Sequence, residues 1–261
     1  MGIAYDENFD AAFGLDGKNA IITGAASGIG EAIARMFAKK AANVALADVN
    51  SAVYGVEADI RRGSGGVKTM CLVGDVTDAA FRAGIVENVS NAFGGIDILV
   101  NCAGIALLEE AEELPEDYWD KTMDVNLKAA FMLSQAVGRY MIKNGGGKII
   151  NIASQASVVS LDRHVAYCAS KAGLVSVTQV LAAEWAEYGI NVNAISPTVV
   201  LTELGKKAWA GAVGENMKKL IPAGRFGYPE EIAACAAYLA SGAANLITGA
   251  NIVIDGGYTI K

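Results

Sequence analysis

Residues 19–30 read Asn19-Ala20-Ile21-Ile22-Thr23-Gly24-Ala25-Ala26-Ser27-Gly28-Ile29-Gly30. Asn19–Thr23 is a short, mostly apolar run of strand length. Ile29, Ile33, Met36 and Phe37 then fall on one face of a helix predicted over Gly28–Lys40. Glycines at 24, 28 and 30 lie at the junction. They let the backbone turn sharply and approach a ligand with no Cβ in the way. The helix start behind them offers unpaired N–H groups and the positive end of a dipole. A strand, a glycine turn and a helix in this order suit a pyrophosphate. Gly24, Ser27, Gly28, Ile29 and Gly30 are the phosphate-binding candidates.

The next strand, Asn43–Asp48, ends in an acid 18 residues beyond Gly30. A carboxylate there can accept hydrogen bonds from both hydroxyls of an adenosine ribose, and it repels a 2′-phosphate. No Lys or Arg lies in the glycine turn or directly after Asp48. These residues point to NAD(H) rather than NADP(H). The plainer alternative is a solvated acid at a strand end.

Further strands are predicted at Lys68–Val73, Ile96–Val100, Lys148–Ile152, Ile190–Ile195 and Asn251–Ile254. Helices are predicted at Asp78–Phe93, Pro115–Asn144, Val165–Tyr188 and Pro229–Ser241. Strand and helix alternate, and several strands are apolar throughout. That pattern calls for an α/β fold with a parallel sheet buried on both faces. No linker-like stretch or internal repeat divides the chain, so residues 1–261 are expected to form a single domain.

Composition agrees. Hydrophobic residues make up 53% and charged residues 19% of the chain, against roughly 25% charged in an ordinary soluble domain. Disorder is excluded as a general description. Asp and Glu number 28 against 21 Lys and Arg, a net charge of −7. That balance weighs against nucleic acid and anionic membranes as partners. His164 is the single histidine, which excludes a metal site needing two imidazoles. Ile232–Ile254 holds no charged residue, yet its Ser241, Gly242, Asn245, Thr248, Gly249 and Asn251 argue against a membrane span. It reads as a buried helix, a turn around Gly242–Gly249 and a short strand. Met1–Phe13 carries Asp6, Glu7 and Asp10 and no basic residue, unlike a secretory signal. Cys71, Cys102, Cys168 and Cys235 are spread through the sequence, as expected of reduced thiols in a cytoplasmic protein.

Tyr167-Cys168-Ala169-Ser170-Lys171 places Tyr and Lys four apart, on one face of a helix. A nearby ammonium favours the phenolate. A tyrosine tuned in this way can take a proton from an alcohol.

With this pair the sequence closely resembles the short-chain dehydrogenase/reductase family, NAD-dependent branch, from Asp16 to Tyr258. The matching residues are Thr23-Gly24-x-x-x-Gly28-x-Gly30, Asp75-Val76, Asn101-Cys102-Ala103-Gly104, Asn126, Ser154, Tyr167-x-x-x-Lys171 and Ile254-Asp255-Gly256-Gly257. The resemblance implies a Rossmann-type, doubly wound, seven-stranded parallel sheet. It implies Tyr167 as general acid/base, Ser154 bonding the substrate oxygen, and Lys171 holding the nicotinamide ribose and lowering the Tyr167 pKa. Asn126 would hold a relay water. Asp75 and Val76 would contact the adenine, and Asn101 would support the central strand. Gly104 would let the ribose approach, with Ala103 beside it. Pro197, Thr198, Val200 and Thr202 would line the nicotinamide, Thr202 bonding its carboxamide. The resemblance also implies a homotetramer built on the two long helices and the C-terminal strand. Some polyol-oxidising relatives hold a structural Mg²⁺; no ligand set here demands a metal.

Two departures stand out. Cys102 replaces the usual second Asn of Asn-Asn-Ala-Gly, and Thr198 replaces the Gly of the usual Pro-Gly, putting local geometry and the pocket's shape in question. Gln155, Ser157 and His164 are the polar candidates for substrate contact, with Thr198–Leu201 and a loop or lid over about 198–225. His164 equally suits an ordinary helix start, and Trp209 and Met217 equally suit packing or a subunit contact. Within the family the chain looks most similar to polyol dehydrogenases, by Asp255-Gly256-Gly257-Tyr258-Thr259 and Leu181-Ala182-Ala183-Glu184-Trp185-Ala186. The expected reaction is oxidation of a secondary alcohol in a polyol to a ketose. The alternatives are a 3-oxoacyl carrier-protein reductase and a non-catalytic NAD-binding scaffold.

Overall fold

In the computed structural model, residues 11–260 are described. Of the N-terminal extension expected over 1–15, residues 1–10 lie outside them, while Leu15 is buried in the core. Among the described residues one sheet runs in the order β3-β2-β1-β4-β5-β6-β7, every neighbouring pair parallel. Its strands are β1 (Asn19–Thr23), β2 (Asn43–Asp48), β3 (Thr69–Val73), β4 (Ile98–Asn101), β5 (Gly147–Ile152), β6 (Ile190–Pro197) and β7 (Asn251–Ile254). Helices α1 (Gly28–Lys39), α2 (Val53–Gly63), α3 (Ala79–Phe93), α4 (Glu116–Met123), α5 (Ala130–Asn144), α6 (Val165–Trp185), α7 (Glu203–Ala208), α8 (Ala212–Leu220) and α9 (Pro229–Ala240) connect them. This is the seven-stranded, doubly wound sheet expected.

The two-residue period of a strand sorts its side chains to opposite faces. Ala20 and Ile22 join Val44, Leu46, Ile98 and Val100 beneath α1, α2 and α9. Ile21, Ala45, Ala47 and Leu99 face the other way, onto α3, α5 and α6. Both faces of these strands are covered by apolar side chains, which explains why the strands read as unbroken apolar runs.

Several boundaries differ from the expectation. The predicted helix Pro115–Asn144 is interrupted: α4 and α5 are joined by a wider π-helical turn, Asp124–Ala129. Val165–Tyr188 is α-helical to Trp185 and tightens into a 3-10 turn over Ala186–Tyr188. β6 extends to Pro197 because Pro197 sits opposite Ile254 of β7. Helix α2 escaped prediction; Val53, Val56 and Ile60 are its buried positions, too few to mark a stripe. The uncharged run resolves as expected into α9, a 3-10 turn at Gly242–Ala244, and β7. Among the described residues the helical stretch long and apolar enough to cross a membrane is instead Val165–Tyr188. Its Leu174, Leu181 and Ala182 are buried, with Leu181 and Ala182 in the core. In the expected lid, Met217, Ile221 and Phe226 form a small third cluster with Val199, Leu201, Trp209 and Tyr258.

Candidate active site

The sheet order reverses direction between β1 and β4. In open α/β sheets ligands bind at such a crevice, beyond the carboxyl ends of the strands. Gly24, Asp48, Asp75, Asn101, Ser154 and Pro197 all lie at or just after those ends.

The glycine turn is tightly specified. Gly24 has φ +67°, and a Cβ there would lie 2.9 Å from Ala103 Cα. Gly28 has φ +59°, and its Cβ would lie 2.9 Å from the Thr202 methyl. A Cβ on Gly30 would lie 2.1 Å from the Gly24 carbonyl oxygen. Ser27 caps α1 in extended backbone with no side-chain cap bond, while Ile29 lies in the first turn. The start of α1 is therefore a backbone cradle. Asp48 is drawn against it: its Oδ2 accepts the Ala26 N–H at 2.9 Å and its Oδ1 accepts the Asn50 N–H at 2.8 Å. Each carboxylate oxygen keeps acceptor capacity for a hydroxyl. Arg35, the nearest cation on α1, is committed to Glu31 and Asp59. A cradle of backbone amides beside a carboxylate that keeps acceptor capacity and has no ion-pair partner among the described residues fits the pyrophosphate and unphosphorylated ribose of NAD.

Thr23 stitches the cradle to the next strand, its Oγ1 accepting the N–H groups of Cys102 at 3.0 Å and Ala103 at 3.2 Å. Thr23, Val76, Asn101 and Ala103 line a small gap against α5. Asp75 folds back to accept the Thr77 N–H at 2.8 Å.

The expected catalytic residues are brought together. Tyr167 and Lys171 share a face of α6, and Lys171 Nζ stands 5.7 Å from the Tyr167 ring centroid. The Ser154 side chain lies beside the Tyr167 phenol and favours its ionised form. Lys171 donates to the Ile152 carbonyl at 2.8 Å. Asn126 lies in the π-helical turn; its amide donates to the Ile105 carbonyl and accepts the Ile105 N–H, both at 2.8 Å. It also donates to Ser170 Oγ at 3.2 Å. A Cβ on Gly104 would lie 3.2 Å from Asn126 Oδ1 and 3.4 Å from Lys171 Nζ. Glycine at 104 therefore makes room for Asn126 and Lys171.

Burial dominates the electrostatics. It lowers Lys171 to about 8 and raises Tyr167, against the lowering effect of the Ser154 side chain. It pushes the Cys102 thiol up to about 12. In the protein alone desolvation of the phenolate outweighs the Ser154 side chain that favours it, so Tyr167 stands above its ordinary value.

The substrate candidates divide. Gln155 follows Ser154 directly, is 2% exposed, and its Oε1 has no partner among the described residues. His164 sets its ring edge-on to Tyr167, centroids 5.9 Å apart. Ser157 instead bonds Ser196 at 3.2 Å, and Ser196 bonds Asn251 at 2.6 Å. The Ser196 hydroxyl thus joins Ser157 and β6 to β7. Thr198 has a buried hydroxyl without a partner among the described residues, and its N–H bonds the Ile254 carbonyl at 3.0 Å. Thr202 Oγ1 caps α7 by accepting the Gly205 N–H at 3.0 Å, which leaves its proton free to donate. Val200 is buried and bridges to Gly227. Trp209 packs on Phe226, centroids 6.1 Å apart. Among the described residues no group of three His, Cys, Asp or Glu is arranged for a metal.

Sequence reasoning missed a buried polar chain behind the site. Asn101 donates to Ser134 at 2.9 Å and to Asn151 at 2.8 Å. Asn151 donates to Thr178 at 2.9 Å, and Thr178 to the Leu174 carbonyl at 2.8 Å. The available signal was Asn151 itself, an amide inside an apolar strand.

The profile described as "Enoyl-(Acyl carrier protein) reductase" matches residues 24–259. The chain is 61% identical to an NAD-dependent glycerol dehydrogenase of Listeria innocua serovar 6a, covering 98% of this chain and 99% of that one. It is 54% identical to a D-threitol dehydrogenase of Mycolicibacterium smegmatis, over 100% of both. A short-chain type dehydrogenase/reductase from Mycobacterium marinum superposes with a TM-score of 0.90 at 37% identity, covering 96% of this chain and 98% of that one. With this fold, this cradle and these relatives, the chain belongs to the short-chain dehydrogenase/reductase family.

Proposed function

We propose that this protein oxidises a secondary alcohol of a small polyol to the ketone, with NAD as hydride acceptor. The observation that carries the reading is the Ser154–Tyr167–Lys171 group, set at the strand ends beside an acid-marked dinucleotide cradle. The names of the two closely similar relatives support a polyol as substrate.

Bound NAD supplies the hydride acceptor and a positive ring. The protein supplies the rest. Gly24, Ser27, Gly28, Ile29 and Gly30 hold the pyrophosphate. Asp48 takes the adenosine ribose, and Asp75, Val76, Asn101, Ala103 and Gly104 form the floor. Pro197, Thr198, Val200 and Thr202 border the far end. Ser154 donates a hydrogen bond to the alcohol oxygen. Tyr167 would accept the hydroxyl proton as the phenolate, its own proton having passed towards solvent by way of Lys171 and the relay water at Asn126. Lys171, held to about 8 by burial, keeps most of its charge at pH 7 and, with the positive ring of bound NAD, favours that phenolate. Asn126 keeps one lone pair on Oδ1 for a relay water. Gln155 and His164 are the polar groups for the remaining substrate hydroxyls, and segment 198–225 is the lid. The protein is a cytoplasmic homotetramer.

A carrier-protein ketoreductase is the second reading, favoured by the description of the matching profile. Its acidic carrier is met by a basic patch in such complexes, whereas this chain carries −7. Asp48 also disfavours a phosphorylated ribose. A scaffold role leaves the complete Asn126, Ser154, Tyr167 and Lys171 group unused. Steady-state rates separate these readings. NAD-linked oxidation of glycerol, D-threitol and related polyols is expected to exceed NADPH-linked reduction of an acetoacetyl thioester. The reverse order would favour the carrier-protein reading.

A further inference from the structure

Arg163 is one of two non-glycine residues with positive φ among those described, at +65°. Left-handed backbone is costly for a residue with a side chain and persists where the surroundings hold it. Here the surroundings are one short segment. Arg163 Nη2 lies 3.2 Å from Glu109 Oε1, and its Nε lies 3.7 Å from Glu110 Oε1. The Glu109 N–H donates to the Arg163 carbonyl at 3.2 Å. Arg163 is thus tied by side chain and backbone to the segment running from Gly104 to α4. The ion pair is half exposed, and such pairs stabilise a fold by less than a strained residue costs. Stability alone does not account for the arrangement.

Its consequence falls on the next residue. His164 is the N-cap residue immediately before α6, and its Nδ1 lies 2.5 Å from the Asp162 carbonyl. A carbonyl only accepts, so Nδ1 carries the proton. In the neutral ring Nε2 is then an acceptor. The same ring stands edge-on to Tyr167. We infer that Arg163, through its link to Glu109, is a positioning residue: it sets His164 so that Nε2 accepts a hydrogen bond from a substrate hydroxyl next to the one oxidised. This rests on the alcohol-oxidising reading of the site.

The test compares Arg163→Gln, Arg163→Lys, Glu109→Gln, His164→Ala and the Arg163→Gln/His164→Ala pair. Glycerol and D-threitol serve as vicinal polyols and 2-butanol as a mono-alcohol. Arg163→Gln is expected to raise KM for the polyols about five-fold with kcat within about two-fold. It should leave 2-butanol kinetics and NADH affinity unchanged. Arg163→Lys should restore most of the loss, and Glu109→Gln should reproduce part of it. On the His164→Ala background Arg163→Gln should add nothing. The inference is overturned if Arg163→Gln leaves polyol KM unchanged, if its effect persists in full without His164, or if 2-butanol and polyols suffer equally. A wild-type protein that oxidises none of these alcohols would overturn the functional reading itself. An active wild type with indifferent variants overturns only the role of Arg163.

Discussion

Lys171 holds a charge in a place where no carboxylate among the described residues pairs with it. It is 4% exposed, its Nζ bonds a carbonyl, and burial lowers it from 10.5 to about 8. Between those values the unfolded chain binds a proton that the folded chain refuses. Stability therefore declines as pH falls through that window, and the penalty is complete below it. Lys171→Met removes the penalty. It is expected to stabilise the fold by about 1–2 kcal/mol at pH 7 while abolishing turnover. A thermal melt beside an activity assay checks this, and a lowered Tm would contradict it. Asp48 sets the other polarity. Asp48→Ser should move the ratio of NAD to NADP efficiency by at least about tenfold towards NADP, equivalent to about 1.4 kcal/mol. Both residues were legible in the sequence, one from a four-residue spacing and one from its place at a strand end. Ser157 has a hydroxyl partner in β6, Ser196, which its distance from Ser154 in the sequence could not reveal.

Among the elements, the π-helical turn between α4 and α5 shows what spacing cannot reveal. A turn widened by one residue leaves apolar periodicity almost intact, so Pro115–Asn144 read as one helix. The widening carries Asn126, whose three hydrogen bonds join Ile105 and Ser170. Such turns occur often at functional sites. Asn126→Ala leaves the buried partners unpaired and should cost about 1–3 kcal/mol, read as a shifted denaturant midpoint, with a loss of turnover. The glycine turn was legible because its demands are steric. Gly28→Ala places a methyl against Thr202 in left-handed backbone. It should weaken NADH binding at least about tenfold, measured by fluorescence titration; unchanged affinity would remove Gly28 from the cradle.

For the whole molecule, the apolar excess of the sequence serves two purposes. Most of it fills the two clusters that sandwich the sheet. Some stays outside: Val165 and Val180 on α6, Trp119 on α4, Leu246 and Ile260 near the C-terminus are exposed. Those residues suit burial between subunits, and sedimentation should report roughly four times 27.0 kDa. A monomer would leave them uncovered and contradict the assembly. The alternation of strands and helices made the sheet legible, because a buried parallel strand has a distinctive composition. The substrate side was less so, since its residues come from loops whose meeting depends on the finished fold. The proton chemistry assigned to Tyr167 is tested most directly by replacing one oxygen. With saturating NAD and polyol, Tyr167→Phe is expected to lower kcat by about 10²–10⁴-fold while NADH affinity stays within about two-fold. Turnover close to wild type, at unchanged NADH affinity, would contradict it.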